Sequence, residues 1–308
     1  SMAFVSDDIN VVVEEALKTI PEQSDFYQCV NDVIKWHKEF PDDWKRTWFE
    51  CEKKWSSEVG CPDGVFQPFD IDAKINSAYV TIGLLYGKTD FSATMDIAAR
   101  CGQDSDCNAA TAGGVLGTMI GYSKIPTQWT SSLTKVADRP FAYTDVSLNK
   151  LYDLGLKHAL QMIEKGEGKI EGDQITIKCQ KPQPVKYEKS FEGHYPIEKK
   201  AIGKQVTDSI EFEFEGIGVV FKGYVKSEDP NYVAQVEMYI DGQLAETANL
   251  PIGTSTSIDG RRVDLFWKYQ LAKAKHKVSF KWLNPDSKSQ VYFGDALIYS
   301  DSPSVKTK

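Results

Sequence analysis

The chain has 308 residues, 41% of them hydrophobic and 12% aromatic, enough for roughly two domains with substantial cores, and this excludes global disorder. Its net charge of −8 is uneven: residues 1–165 hold 24 acidic and 16 basic side chains, while residues 166–308 hold 20 of each. Neither half has the basic excess of a phosphate-backbone binder, so nucleic acid is not an expected partner, and no apolar run reaches the ~18 residues of a membrane span.

Up to about residue 165 the apolar residues recur at helical spacing. Ser1-Met2-Ala3-Phe4 leads directly into the first helix, with neither the basic nor the apolar region of a signal peptide. Ile9, Val12, Val13, Leu17 and Ile20 line that helix, which Pro21 ends. Phe26, Val30, Val33, Ile34 and Trp36 mark a second. Pro41-Asp42-Asp43 starts a third, carrying Trp44, Trp48, Phe49 and Trp55. After a turn at Cys61-Pro62-Asp63-Gly64, Asp72 is placed to cap a helix from Ala73 to about Tyr86. Phe91–Arg100, Ala109–Ile120 and Ser147–Lys165 complete an all-α half.

From Lys169 the period becomes two. Ile175, Ile177 and Cys179 read as a first strand, joined by the proline-containing stretch 180–196 to strands around Ile210–Phe214 and Val236–Ile240. Asp241-Gly242 is a type I′ hairpin signal, and Val278–Trp282 and Val291–Tyr299 follow. Regular strands with turns between them predict an antiparallel sandwich. Residues 303–308 read as a tail.

The six cysteines (Cys29, Cys51, Cys61, Cys101, Cys107, Cys179) form no Cys-x-x-Cys pair and have no His at zinc-ligand spacing. Scattered buried thiols and a Cys51–Cys61 disulfide are both open.

One segment carries chemistry. In Gly102-Gln103-Asp104-Ser105-Asp106-Cys107-Asn108, two carboxylates stand two apart on a glycine-led turn before a helix. In a turn such residues converge on one cation, and hard oxygen ligands suit Mg²⁺, Mn²⁺ or Ca²⁺. N-capping in a solvated loop explains the same spacing. The following helix contains Gly113, Gly114 and Gly117, each costing about 1 kcal/mol against alanine, which predicts close backbone approach and a central place in the bundle.

This segment, the glycine-rich helix, and Ile125-Pro126 with Trp129 closely resemble the C-terminal signature of the ADP-ribosylglycohydrolases, including the dinitrogenase-reductase-activating glycohydrolases and the J1-crystallin-like proteins. The resemblance spans roughly residues 5–135. It implies a metal-dependent hydrolase that cleaves a glycosidic bond at the anomeric carbon of ADP-ribose or a related ribosyl or glycosyl substrate. It also implies Asp104 and Asp106 as ligands of a two-ion Mg²⁺ site, with Mn²⁺ as the alternative ion. Cys107 stands where the family often has a threonine whose oxygen serves the metal. Gly102 and Asn108 are the candidate substrate contacts.

The family's Thr-Asp-Asp motif has no counterpart here. Ser6-Asp7-Asp8 reads instead as a helix start. The metal site is therefore expected to be incomplete, and the bundle to seek the missing N-terminal half or another protomer. Asp70 and Asp72 read as capping residues, and no role is assigned to His37 or His158.

The β half resembles, more generically, the galactose-binding-like jelly rolls attached to secreted bacterial glycoside hydrolases, though Ala274-Lys275 replaces their glycine before the histidine. Trp267 and Trp282, with Tyr224 and Tyr292, are sugar-stacking candidates, core packing being the other reading. The alternative function is a non-catalytic carbohydrate-binding protein, and by analogy the expected setting is secreted or periplasmic in a bacterium. The expected architecture is an all-α bundle over 1–166, a β-sandwich over 167–302, and a tail.

Overall fold

The computed structural model describes residues 1–56, 64–66, 69–178, 183–189, 191–207, 209–252 and 263–303. Cys61, Cys179 and most of the tail lie outside them. The chain forms two compact units, one of residues 1–58 and 70–187, the other of residues 59–69 and 188–308.

The first unit is helical: α1 Ile9–Leu17, α2 Asp25–Glu39, α3 Trp44–Trp55, α4 Ala73–Tyr86, α5 Phe91–Arg100, α6 Ser105–Ile120, the short α7 Thr127–Thr130, and α8 Leu148–Lys165. The starts follow from capping. Asp8, Ser24, Asp43, Asp72, Asp90 and Ser147 each accept a first-turn backbone N–H through the side chain, satisfying donors that the helix leaves orphaned. Asp8 is thus a cap, as its position in Ser6-Asp7-Asp8 implies.

α4 is the central helix, buried through most of its length from Ile75 to Tyr86. It packs closest on α5. A Cβ at Gly83 would lie 2.7 Å from Ala98 Cβ, and one at Gly87 only 2.0 Å from Thr94 Oγ1. The close approach expected of α6 is therefore found on α4. Gly113 and Gly117 meet only side chains of Met95, Phe91 and Ile125, and Gly114 faces open space. One side of α6 is exposed, because its small residues on that side have no neighbour to admit.

Cys29, Cys51 and Cys101 are buried in this core, free of disulfides. A hydrogen bond from Cys29 and burial push the Cys51 thiol far up, and burial, with the charge of Glu52, raises Cys101 to about 12. The helical unit also exposes apolar side chains. No residue of α8 is buried, and Leu151, Tyr152, Leu156 and Met162 face solvent. No described helix is long and apolar enough to cross a membrane.

The expected strand at Ile175–Cys179 does not open the sandwich. β1 Lys169–Glu171 and β2 Gln174–Thr176 pair only with each other, within the helical unit. Ile175 is exposed, so alternation there reflects a free hairpin with no sheet to cover.

In the second unit, β3 Tyr195–Gln205, β4 Ser209–Gly216, β5 Gly218–Ser227, β6 Val233–Ile240, β7 Gln243–Pro251, β8 Val263–Lys268, β9 Ala274–Trp282 and β10 Ser289–Ser300 form two antiparallel sheets. Their orders, β3-β10-β5-β8 and β4-β9-β6-β7, are those of an eight-stranded jelly roll. Phe212, Phe214, Phe221, Phe266, Phe280 and Phe293 fill the space between the sheets. Asp241 and Gly242 both have positive φ (52° and 80°), as a type I′ turn between β6 and β7 requires.

The zero charge balance of this half is visible on one outer sheet face. There Glu213 stands opposite Lys277, Glu215 opposite Lys275, and Glu237 opposite Lys281. On the other sheet, Lys222 stands between Asp295 and Asp264 in register, and Lys222 and Asp295 are buried. A small cluster of Val65 with Val220, Leu297 and Tyr299 packs beside this row.

His276 is buried on β9, with Nδ1 2.8 Å from Asp241 Oδ2 and Nε2 2.8 Å from the Ala272 carbonyl oxygen. Both partners accept, so the imidazolium satisfies both and the neutral ring only one. Burial opposes the charge most strongly, yet the Asp241 bond, the Ala272 bond and the Asp241 charge together hold the His276 pKa above 6.5. The Lys277 N–H and then His276 hold the Asp241 carboxyl below 3.8. A raised histidine stabilises fully below 6.5 and loses its contribution as pH rises through the folded value; the depressed aspartate loses its own below 3.8. The stability lost in His276→Gln is therefore expected to shrink from pH ~5.5 to ~8.5. Urea unfolding of both proteins at each pH checks this, with an NMR midpoint for His276 above 6.5 as its companion.

Candidate metal centre

The segment between α5 and α6 reverses the chain in four residues. Gly102 (φ 93°) and Gln103 (φ 55°) are both left-handed, a conformation that glycine takes freely and glutamine at a cost. The reversal is held from outside. Trp48 Nε1 donates to the Cys101 carbonyl at 2.8 Å, and the Asp104 N–H donates to Asn76 Oδ1 at 3.1 Å.

Asp104 occupies the N-cap position of α6 but makes no capping bond through its side chain. The four other aspartates at helix N-caps, Asp8, Asp43, Asp72 and Asp90, all do. The carboxylate of Asp104 is thus directed away from the helix end. Asp106 and Cys107 follow in the first turn, both exposed. Ligand atoms of Asp104, Asp106 and Cys107 all lie within 4.8 Å of one another. The Cys107 thiol hydrogen-bonds to Asp104, and that bond, with some burial and the two carboxylate charges, holds it above its ordinary range.

Two carboxylates and a sulfur on one helix start form a donor set for a divalent cation, mixed in hardness. Three protein donors are fewer than the six oxygens of an octahedral site, which leaves positions for water or substrate hydroxyls.

Asn108, expected at the substrate, is instead buried. Its amide donates to Asn76 Oδ1 at 2.8 Å and to the Gly102 carbonyl at 3.3 Å, closing the loop from within. Gly102 contributes its left-handed backbone and that carbonyl. Asp72 spends its carboxylate on the N–H groups of Lys74 and Ile75. Asn76, which sequence patterning does not single out, is the common partner of these pieces; the available signal was a polar residue four after the Asp72 cap in an otherwise buried helix.

In the sandwich, Trp282 is buried, and its Nε1 donates to the Tyr232 hydroxyl at 3.1 Å. It is a core residue and not a sugar platform, because the inward alternation of β9 continues to its last position. Tyr224 and Tyr292 stack on each other at 4.9 Å. Trp267 is 54% exposed.

Residues 1–158 match the family model of the ADP-ribosylglycohydrolases, just over half of the chain. The chain belongs to the ADP-ribosylglycohydrolase family. No curated protein matches it. Among solved structures, an acetyl xylan esterase from the rumen bacterium Butyrivibrio proteoclasticus is 17% identical over 35% of this chain and 30% of its own, with a TM-score of 0.25. A family-two carbohydrate esterase from Clostridium thermocellum is 18% identical over 34% and 26%, with a TM-score of 0.22. A CBM36 domain of a xylanase from the hindgut metagenome of Trinervitermes trinervoides is 7% identical over 35% and 90%, with a TM-score of 0.23. This chain thus spans less than a third of either esterase, and overlaps of this depth carry no functional argument. The glycohydrolase reading rests on the family and on the loop of α6.

Proposed function

We propose that this ADP-ribosylglycohydrolase-family chain uses a divalent cation, Mg²⁺ or Mn²⁺, at Asp104, Asp106 and Cys107 to hydrolyse a glycosidic bond at the anomeric carbon of ADP-ribose or a related ribosyl or glycosyl compound. The observation that carries the reading is the Asp104 carboxylate, which stands at a helix N-cap without capping it and shares its surroundings with two further donors. When bound, such a cation supplies coordination of sugar hydroxyls and charge stabilisation at an oxocarbenium-like centre. Asp104 and Asp106, as ligands, hold and orient and do not act as general bases. Asp72 is spent on its cap and is no base either. The open positions of the donor set are filled by substrate hydroxyls, water, or groups from a second protomer or further helical segment. The exposed apolar side chains of α8 suit such a partner.

The test is calorimetric titration of Mg²⁺ and Mn²⁺ into the chain and into an Asp104→Ala/Asp106→Ala double variant, followed by ADP-ribose. Saturable binding in the micromolar range, lost in the variant, is the expected result. Absence of binding up to millimolar metal overturns the proposal. In that case the sandwich, where Trp267 is the surviving sugar-contact candidate, becomes the functional half.

A further inference from the structure

Asn76 lies on the second turn of α4 and is 9% exposed. Its Oδ1 accepts from the Asp104 N–H at 3.1 Å and from Asn108 Nδ2 at 2.8 Å, and its Nδ2 donates to the carbonyls of Asp70 at 2.7 Å and Asp72 at 3.0 Å. These four bonds fix the amide's orientation, since turning it over would face donors to donors and acceptors to acceptors.

The consequence concerns Asp104. The first-turn N–H groups of α6 attract a capping carboxylate, and the aspartates at the starts of α1, α3, α4 and α5 answer that attraction. Asp104 resists it because its own backbone is pinned. The N–H is tied to α4 through Asn76, and the preceding pair of left-handed residues sets the angle at which the chain enters the helix. We propose that Asn76 is a positioning residue for cation binding: by anchoring the Asp104 backbone to α4, it withholds the Asp104 carboxylate from capping and presents it to the ion. This rests on the metal reading above, and it assigns to one buried amide the pre-organisation of the loop before any ion arrives.

The experiment titrates Mn²⁺ calorimetrically into the wild-type chain, Asn76→Ala and Thr47→Val. Thr47 is a control for loss of a buried hydrogen bond, since it is buried on α3 and bonds the Tyr86 hydroxyl at 2.7 Å, away from the loop. Asn76→Ala is expected to weaken Mn²⁺ binding about 10–100-fold, the usual range for a group that orients a ligand. Thr47→Val is expected to lower the melting temperature yet keep the affinity within about twofold of wild type. Wild-type binding with Asn76→Ala within about twofold of it overturns the role of Asn76 alone, whereas no wild-type binding overturns the metal reading itself. Should Asn76→Ala fail to fold, hydrogen exchange of the Asp104 amide in the metal-free wild type decides. Protection of about 100-fold over the unfolded chain is expected, and exchange at the unfolded rate overturns the proposal.

Discussion

Replacing Gly87 with alanine is expected to destabilise the helical unit by about 3 kcal/mol, at the upper end of what overpacking a filled core costs. The added methyl would stand 2.0 Å from Thr94 Oγ1, 2.7 Å from Thr94 Cα and 2.8 Å from the Gly83 carbonyl oxygen. Rotating the Thr94 side chain relieves only the first of these; the others involve backbone, so α4 and α5 must separate. Thr94 is fully buried, which leaves its side chain little room to retreat. Denaturant unfolding of Gly87→Ala, Thr94→Ala and the double variant measures the effect. The double variant should recover part of the loss and not all of it. A Gly87→Ala protein within about 0.5 kcal/mol of wild type would mean that the helices are farther apart than described.

The second large effect concerns the choice of ion. Cys107→Thr is expected to tighten Mg²⁺ binding about tenfold and to weaken Cd²⁺ binding by at least as much, because it replaces a soft sulfur with a hard oxygen in an otherwise carboxylate donor set. The thiol sits within reach of both carboxylates and is exposed, so a cation bound by Asp104 and Asp106 meets it without rearrangement of the core. Competition calorimetry with the two ions checks the preference. Ultraviolet absorption of a cadmium–thiolate bond, present in the wild type and absent in Cys107→Thr, checks direct ligation. Equal Mg²⁺ affinity in both proteins would place Cys107 outside the coordination sphere.

Much of the fold was legible because the forces that set it are local. Asp43, Asp72 and Ser147 announce helix starts by their own side-chain chemistry, and α4 and α5 begin and end where capping and apolar spacing place them. Strand alternation in β4, β6 and β9 survives because each strand has one wet face and one dry face. The misreadings share a different cause, since they depend on what lies opposite. Glycines in α6 look like a packing surface, yet the tight contact belongs to Gly83 and Gly87, whose partners are distant in sequence. The alternation at Ile175 looks like a sheet strand, but a hairpin of two short strands satisfies it. Asp104 and Asp106 are visible in the sequence as a pair, whereas Asn76, which holds one of them in place, stands alone 28 residues away. Asn108 looked like a substrate contact from its place in the motif, and only its burial against Asn76 reveals that it serves the loop.

The assignment of residues 59–69 to the unit of the sandwich, between two helices that belong to the other unit, means that neither unit is a continuous stretch of chain. A fragment cut at residue 187 would carry Val65 away from Val220, Leu297 and Tyr299, and the remaining jelly roll would begin life with a missing plug. No single scission yields both pieces whole, so the two units are inherited, expressed and exchanged as one cassette.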